Sequence, residues 1–377
     1  MEMGHRILHI SNFYWPHIGG IEDVCKTLVD HTEGMEVRVL CFADSKTDTI
    51  DCVDGIAVVR VGVWRRLWQQ AIPYHYGRVL RRVLRDFRPD VVHLHLPNPL
   101  AMFYVLALLP RSVRLIVHWH SDIIVHRRLY RLVAIGERRV LGLASAVIAT
   151  SHAYMESSLM LRRYRDKCVV MPNVISEEKL NLCAASGLTV EKIRQRYGEH
   201  IVLFVGRHVP YKGLDRLLEA VKLLRQPCKV LIGGSGPLTS RLQTIARSLP
   251  NVEFLGNIPD DELGVWMRAS RVFAFPSVTR NEAFGVALAE AMYCGAVPVT
   301  FTIAGSGVNW VSLHEITGLE VANGDVRSFA LSIDRLLADD TLYNRLSQAG
   351  RERVKSHFVP ECVQETLRQL YVCKGKP

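Results

Sequence analysis

Short apolar stretches of strand length alternate with helical stretches along almost the whole chain, and this alternation constrains the fold more than any other feature. The pattern predicts strands over Arg6 to Ile10, Val37 to Phe42, Val91 to Leu96, Leu115 to His118 and Ala146 to Thr150. A second set spans Ile201 to Val205, Lys229 to Ile232, Val252 to Leu255, Val272 to Ala274 and Val297 to Thr300. Predicted helices include Glu22 to Asp30, Tyr74 to Asp86, Leu129 to Leu141, Leu214 to Leu224, Asp260 to Ala269 and Val326 to Ala338. Strands separated by helices pair through crossovers, so the chain reads as parallel α/β. Its 377 residues exceed one ordinary core and fit two domains. The character changes between Met171 and His200, which places one domain at 1–175 and the other at 176–358.

Composition narrows the class. Apolar content of 49% with 22% charged residues describes a globular chain. The longest apolar runs, such as Ala101 to Pro110, are shorter than the ~20 residues that span a bilayer. The start, MEMGHRILHI, lacks the shape of a signal peptide, so a cytoplasmic location is expected. Nine cysteines with no C-x-x-C argue for a reducing compartment and against a disulfide framework or structural zinc. Residues 1–175 hold 23 Lys and Arg against 16 Asp and Glu. Aromatic and aliphatic residues interleave the basic stretches, as in Trp64-Arg65-Arg66-Leu67-Trp68, which suits an anionic membrane face or a polyanionic acceptor as well as a plain solvated surface. No nucleic-acid-binding motif is present, so no nucleic-acid partner is expected.

The chemistry gathers at strand ends. Gly19-Gly20 follows the first strand and opens a helix, a place where backbone N–H groups can meet a phosphate. Gly206-Arg207-His208-Val209-Pro210-Tyr211-Lys212-Gly213 puts two cations five residues apart just past a strand, able to bracket a pyrophosphate. Gly233-Gly234-Ser235-Gly236-Pro237 is another glycine turn after a strand. The segment NEAFGVALAEAMYCGAVPV, Asn281 to Val299, carries Glu282 and Glu290 on either side of Phe284-Gly285. Eight helical residues rise about 12 Å, so an acid before the helix and one in its second turn reach different parts of one elongated ligand. His118-Trp119-His120-Ser121-Asp122 ends a strand of the first domain. His93, His95, His118 and His120 raise the question of a metal site, but no nearby acid completes a ligand set, and no metal is expected.

These motifs resemble those of the retaining glycosyltransferases of family 4, the E-x7-E type. The likeness covers most of the chain and is strongest from Ile201 to Leu319. It implies a GT-B fold of two Rossmann-like domains facing a cleft, with a last helix, Val359 to Tyr371, rejoining the first domain. Arg207 and Lys212 inherit the diphosphate, and Glu282 and Glu290 the donor sugar and ribose. Gly19, Gly20, Gly234, Gly236, Phe284 and Gly285 inherit places along the donor site. His120 inherits a position facing the donor sugar, the rival being a satisfied core histidine. The loop Thr302 to Val311 is closest in feel to mannosyl and rhamnosyl transferases of O-antigen assembly. The implied reaction moves a hexose from GDP-mannose or GDP-rhamnose to a lipid-linked or oligosaccharide acceptor, with no cofactor beyond the donor, on the cytoplasmic side or peripherally at the inner membrane face. A UDP-sugar donor and a sugar-nucleotide epimerase are the alternatives. Because Glu282 falls in a loop, Glu282→Ala is expected to abolish transfer with little loss of stability.

Overall fold

The computed structural model describes residues 5–17, 19–67, 70–122 and 127–372. The chain divides into two compact units, 1–174 with 360–377, and 175–359.

The strands of the first unit are β1 (Arg6–Ile10), β2 (Glu36–Phe42), β3 (Thr49–Val53), β4 (Ile56–Val61), β5 (Arg65–Leu67), β6 (Gln70–Ile72), β7 (Val91–Leu96), β8 (Arg114–Trp119), β9 (Ala146–Ala149) and β10 (Cys168–Val170). Eight of them form one sheet in the order β10-β9-β8-β7-β1-β2-β4-β3, and β5 with β6 makes a separate two-stranded ribbon. Trp68, in the basic stretch beside that ribbon, lies outside the described residues. Every pair in the large sheet is parallel except β3 with β4, which run antiparallel. The alternation reading missed this hairpin. Its turn, Asp54-Gly55, has φ of 50° and 82°, and two positive φ values are what a tight two-residue connection requires. β1 feeds β2 on one side while β7 and β8 lie on the other, so chain order reverses between β1 and β7.

Side chains alternate across a strand, so residues two apart share a face. His93 and His95 on β7 therefore share a face, as do His118 on β8 and His120 just beyond its end. Register completes the arrangement by pairing His9 with His93 and His95 with His118. The C-terminal helix, Glu361–Val372, packs over this face. Its Tyr371 hydroxyl meets His93 and His9, and Arg114 donates to the carbonyls of Leu370 and Tyr371.

In the second unit β11 (Ile201–Val205), β12 (Lys229–Gly233), β13 (Val252–Gly256), β14 (Val272–Phe275), β15 (Val297–Phe301) and β16 (Leu319–Val321) form one parallel sheet, ordered β13-β12-β11-β14-β15-β16. Both faces are covered, which explains the unbroken apolar character of these strands. Leu203, Leu231, Phe273 and Phe275 enter one core, and Val202, Phe204, Val230 and Ala274 the other. Chain order reverses here between β11 and β14, and a parallel sheet opens a crevice beyond its strand ends at such a reversal.

Candidate active site

The loops that follow β11, β12, β14 and β15 are tied together at that reversal. Val278 N–H donates to the Tyr211 carbonyl at 2.9 Å, joining the loops after β14 and β11. His208 N–H donates to the Ser235 carbonyl at 2.9 Å, and Leu238 N–H to that of His208 at 3.1 Å, joining those after β11 and β12. Gly307 N–H donates to the Ala283 carbonyl at 2.8 Å, and Ser306 Oγ donates to the Glu282 carbonyl, bringing in the loop after β15. Gly234 shows why glycine stands in the second turn: its φ is 105°, and a Cβ there would lie 2.1 Å from the Gly206 carbonyl oxygen. A Cβ at Gly236 would lie 2.6 Å from the His208 carbonyl oxygen.

Within this frame Lys212 and Glu282 meet. Lys212 Nζ lies 2.5 Å from Glu282 Oε2, and each side chain is only 11% exposed. Ser277 Oγ donates to the same carboxylate oxygen at 3.0 Å. The ammonium also sits 5.1 Å from the centre of the Phe275 ring, within cation–π range. Sequence reasoning put Glu282 in a loop, and it is in one, but this loop carboxylate is buried and paired. Ser277, which holds that carboxylate, and Ser306, which holds the Glu282 backbone carbonyl, were not assigned roles from sequence; only their places in the loops before Glu282 and after β15 could have flagged them.

The other proposed residues of this unit divide. Arg207 is exposed and its side chain makes no hydrogen bond or ion pair among the described residues, so its guanidinium remains available to a ligand. Glu290 is buried at 6% exposure in the second turn of the helix Val286–Cys294. Gly285 caps that helix at φ 91° with no side-chain hydrogen bond to its first turn, so the helix N-terminus faces the loop carrying Glu282. Phe284 is core: it is 2% exposed and edge-on to Trp310 and Phe358. It shapes the loop from behind.

In the first unit Gly19 precedes the helix Gly20–Asp30. The Glu22 carboxylate folds over it, and a Cβ at Gly19 would lie 2.3 Å from Glu22 Oε2. Burial pushes that carboxyl pKa up. An acid thus stands over the turn assigned to a diphosphate, while Gly20 faces open space. His120 is 5% exposed and its Nε2 lies 2.9 Å from His95 Nδ1. Asp122 accepts from Trp119 Nε1 at 3.0 Å and from Ser158 Oγ at 2.8 Å, which orders the turn behind His120. Burial depresses all five histidines of this face; His9 and His120 fall to about 3 and His93, His95 and His118 well below the ordinary value. All five are neutral at physiological pH.

Two family models match the chain: one described as glycosyl transferases group 1 over residues 189–353, the other as a glycosyl transferase 4-like domain over residues 19–174. The sequence is 29% identical to O-antigen chain mannosyltransferase C of Escherichia coli, over 97% of this chain and 98% of that protein. It is 31% identical to D-rhamnosyltransferase WbpZ of Pseudomonas aeruginosa, over 86% of this chain and 84% of that one. Among solved structures, sucrose-phosphate synthase from Thermosynechococcus elongatus is similar with a TM-score of 0.77 at 21% identity, covering 97% of this chain and 98% of that one. That likeness is one of fold.

Proposed function

Since the chain belongs to the group 1 glycosyltransferases and its two α/β units have the GT-B fold, we propose that it moves mannose or rhamnose from a GDP-sugar onto a lipid-linked or oligosaccharide acceptor in envelope polysaccharide synthesis. The names of the two relatives support the hexose, and that of the first supports the polysaccharide setting. The buried Lys212–Glu282 pair at the β11/β14 reversal carries the reading. A diphosphate brought to Lys212 competes with Glu282 for the ammonium. The carboxylate, still held by Ser277, then turns to the donor's sugar hydroxyls. Arg207 adds a forked contact to the phosphates, and the N-terminus of Val286–Cys294 adds a favourable dipole. Charge developing on the leaving nucleoside diphosphate is thereby met by fixed protein groups, with no cofactor beyond the donor. Transfer on the same face, the departing phosphate taking the acceptor proton, retains the anomeric configuration.

The direct test incubates the protein with GDP-mannose or GDP-rhamnose and a lipid-linked saccharide. Product carrying one more hexose supports the proposal, whereas a UDP-sugar as the sole productive donor replaces its donor assignment. The epimerase alternative is disfavoured by the transferase family models; it would convert the donor with no acceptor present. Calorimetry adds a prediction. Arg207→Ala is expected to weaken GDP binding by about 1.5–3 kcal/mol, the range for hydrogen bonds to charged groups, without lowering Tm. Unchanged affinity removes Arg207 from the cradle.

Contact with the inner face of the membrane belongs to the same proposal. No described helix is long and apolar enough to cross a bilayer. On the first unit Trp64 and Tyr74 are 57% and 73% exposed with ring centres 5.1 Å apart, next to the exposed Arg65. Aromatic rings beside a cation suit the headgroup level of an anionic bilayer. The protein is expected to float with vesicles containing anionic lipid and to release when Trp64 and Tyr74 are both changed to Ser; equal flotation of the two proteins assigns the contact elsewhere.

A further inference from the structure

The buried face where β1, β7 and β8 meet holds a single unbroken line of proton-sharing groups. His120 Nε2 is 2.9 Å from His95 Nδ1, and His95 Nε2 is 3.1 Å from His9 Nδ1. His9 Nε2 is 3.1 Å from the Tyr371 hydroxyl, which is 2.6 Å from His93 Nδ1. His93 Nε2 is 3.3 Å from His118 Nδ1. The line doubles back on itself at Tyr371, so both its ends lie at β8, where the rings of His118 and His120 stack with centres 4.0 Å apart. At those ends His118 Nε2 and His120 Nδ1 are buried without a hydrogen-bond partner among the described residues.

The geometry is that of shared protons. Ring centres of His95 and His120 are 5.2 Å apart, and those of His9 and His95 5.4 Å, exceeding the N···N distances by little more than the two ring radii. The nitrogens therefore point at one another along the line of centres. A tetrahedral ion at ~2.0–2.1 Å from each of two such nitrogens would hold them about 3.3–3.4 Å apart, with both lone pairs aimed off the line of centres at the ion. The 2.9 and 3.1 Å spacings, with the nitrogens aimed at one another, suit a hydrogen bond instead.

Counting protons gives the consequence. A neutral imidazole has one N–H and one lone pair, and a phenol one O–H. Six groups joined by five bonds leave one proton and one lone pair over, one at each end. With the Tyr371 O–H donated to one of its two histidine neighbours, following the donors from His120 to His118 gives only two complete arrangements. Either all five histidines carry their proton on Nδ1, or all five carry it on Nε2. In the first, His120 presents an N–H at Nδ1; in the second, a lone pair. The two unpartnered atoms are what any complete arrangement must leave.

We propose that His9, His93, His95, His118 and Tyr371 act as one positioning device that imposes a common tautomer on all five histidines and so determines whether His120 offers a ligand hydroxyl a donor or an acceptor. The ligand class, a sugar hydroxyl, rests on the transferase reading above; the tautomer lock does not. Among the six groups His120 is the most exposed, so ligand contact is assigned to that end. Among the described residues the Cys25 thiol also reaches the line, 4.0 Å from His9 Nδ1.

Hydrogen positions follow from partners, so the test must observe them directly. Nitrogen-15 spectra of histidine-labelled full-length protein near pH 7.5, assigned with single His→Gln variants, are expected to show the five imidazoles neutral and of one tautomer. Tyr371→Phe cuts the line in its middle and keeps the ring's bulk. In that variant the tautomer balance of His120 is expected to change, although three hydrogen bonds separate it from the substitution. Retained near-ultraviolet circular dichroism establishes that the variant is folded. If it unfolds, the wild-type spectra alone decide. Mixed Nδ1–H and Nε2–H forms in the wild type, a cationic ring, or a His120 unmoved by Tyr371→Phe in a folded protein overturns the proposal. So does a stoichiometric metal in the purified protein. Loss of transfer with the common tautomer intact would instead count against the proposed function.

Discussion

Glu282→Ala is expected to lower transfer by about 10²–10³-fold, the scale for removing one preorganised polar contact from a transition state, and to destabilise the second unit as well. The loop position of Glu282 suggested a substitution of little structural consequence. Its surroundings reverse that expectation. Lys212 and Glu282 are each 11% exposed and 2.5 Å apart, so deleting the acid leaves an ammonium buried with no counter-charge. Breaking a buried pair in this way costs about 3–5 kcal/mol, whereas replacing both partners with apolar groups is often neutral. Urea unfolding followed by circular dichroism, with a radiolabelled-sugar assay on the same samples, separates the two effects. The double variant Lys212→Met/Glu282→Leu is expected to regain stability and remain inactive. Full turnover in Glu282→Ala removes the residue from the chemistry. Full stability in it means the pair is not held as the structure shows.

Acid is expected to unfold the first unit between about pH 6 and pH 5, well before ordinary carboxylates protonate. Five histidines are neutral in its fold because burial disfavours their charged forms; His9 and His120 titrate only at about 3, and His93, His95 and His118 lie well below the usual value. In the unfolded chain the same groups protonate near 6.5. Below that pH the unfolded state binds more protons, so stability is full above it and falls as pH falls toward the folded values. Each histidine contributes about 1.4 kcal/mol per pH unit in that window. Together they remove about 10 kcal/mol between about pH 7.5 and pH 5, comparable to the whole stability of a domain. Glu137, pushed up to about 7 by burial, and Glu22 and Asp30, raised in the same direction, oppose this, but three groups stand against five. Proton uptake on urea unfolding at pH 5.5 measures the balance. Uptake below one proton per chain would sink the prediction, and His95→Gln, which takes one histidine out of the count, is expected to reduce it.

Much of the fold was legible because its signals are local. Ile201 to Val205 and Lys229 to Ile232 are short, apolar and bounded by glycine, and they occur as strands with ends within a residue of those predicted. The β3–β4 hairpin escaped because Asp54-Gly55 marks a two-residue turn inside a stretch whose flanks are only half apolar. The helix Pro99–Leu108 escaped because its apolar residues run on without a helical stripe; Asn98 starts it by accepting from Ala101 N–H. The histidines were half legible. The spacings in His93-Leu94-His95 and His118-Trp119-His120 put each pair on one face, and the lack of a nearby acid argues only against a metal there.

Residue type and spacing along the chain determined the strand–helix alternation, the glycine turns at strand ends and the list of charged groups available to a nucleotide-sugar. These depend on neighbours a few residues away, and the chain carries that information in its order. Tertiary structure alone decided partners. Only strand order and register bring His9 beside His93 and His95 beside His118, and only folding closes Lys212 onto Glu282, seventy positions later. The physical reason is that charge pairing and proton sharing act over a few ångströms in space, and burial, which determines their strength, is a property of the whole packed unit rather than of any segment.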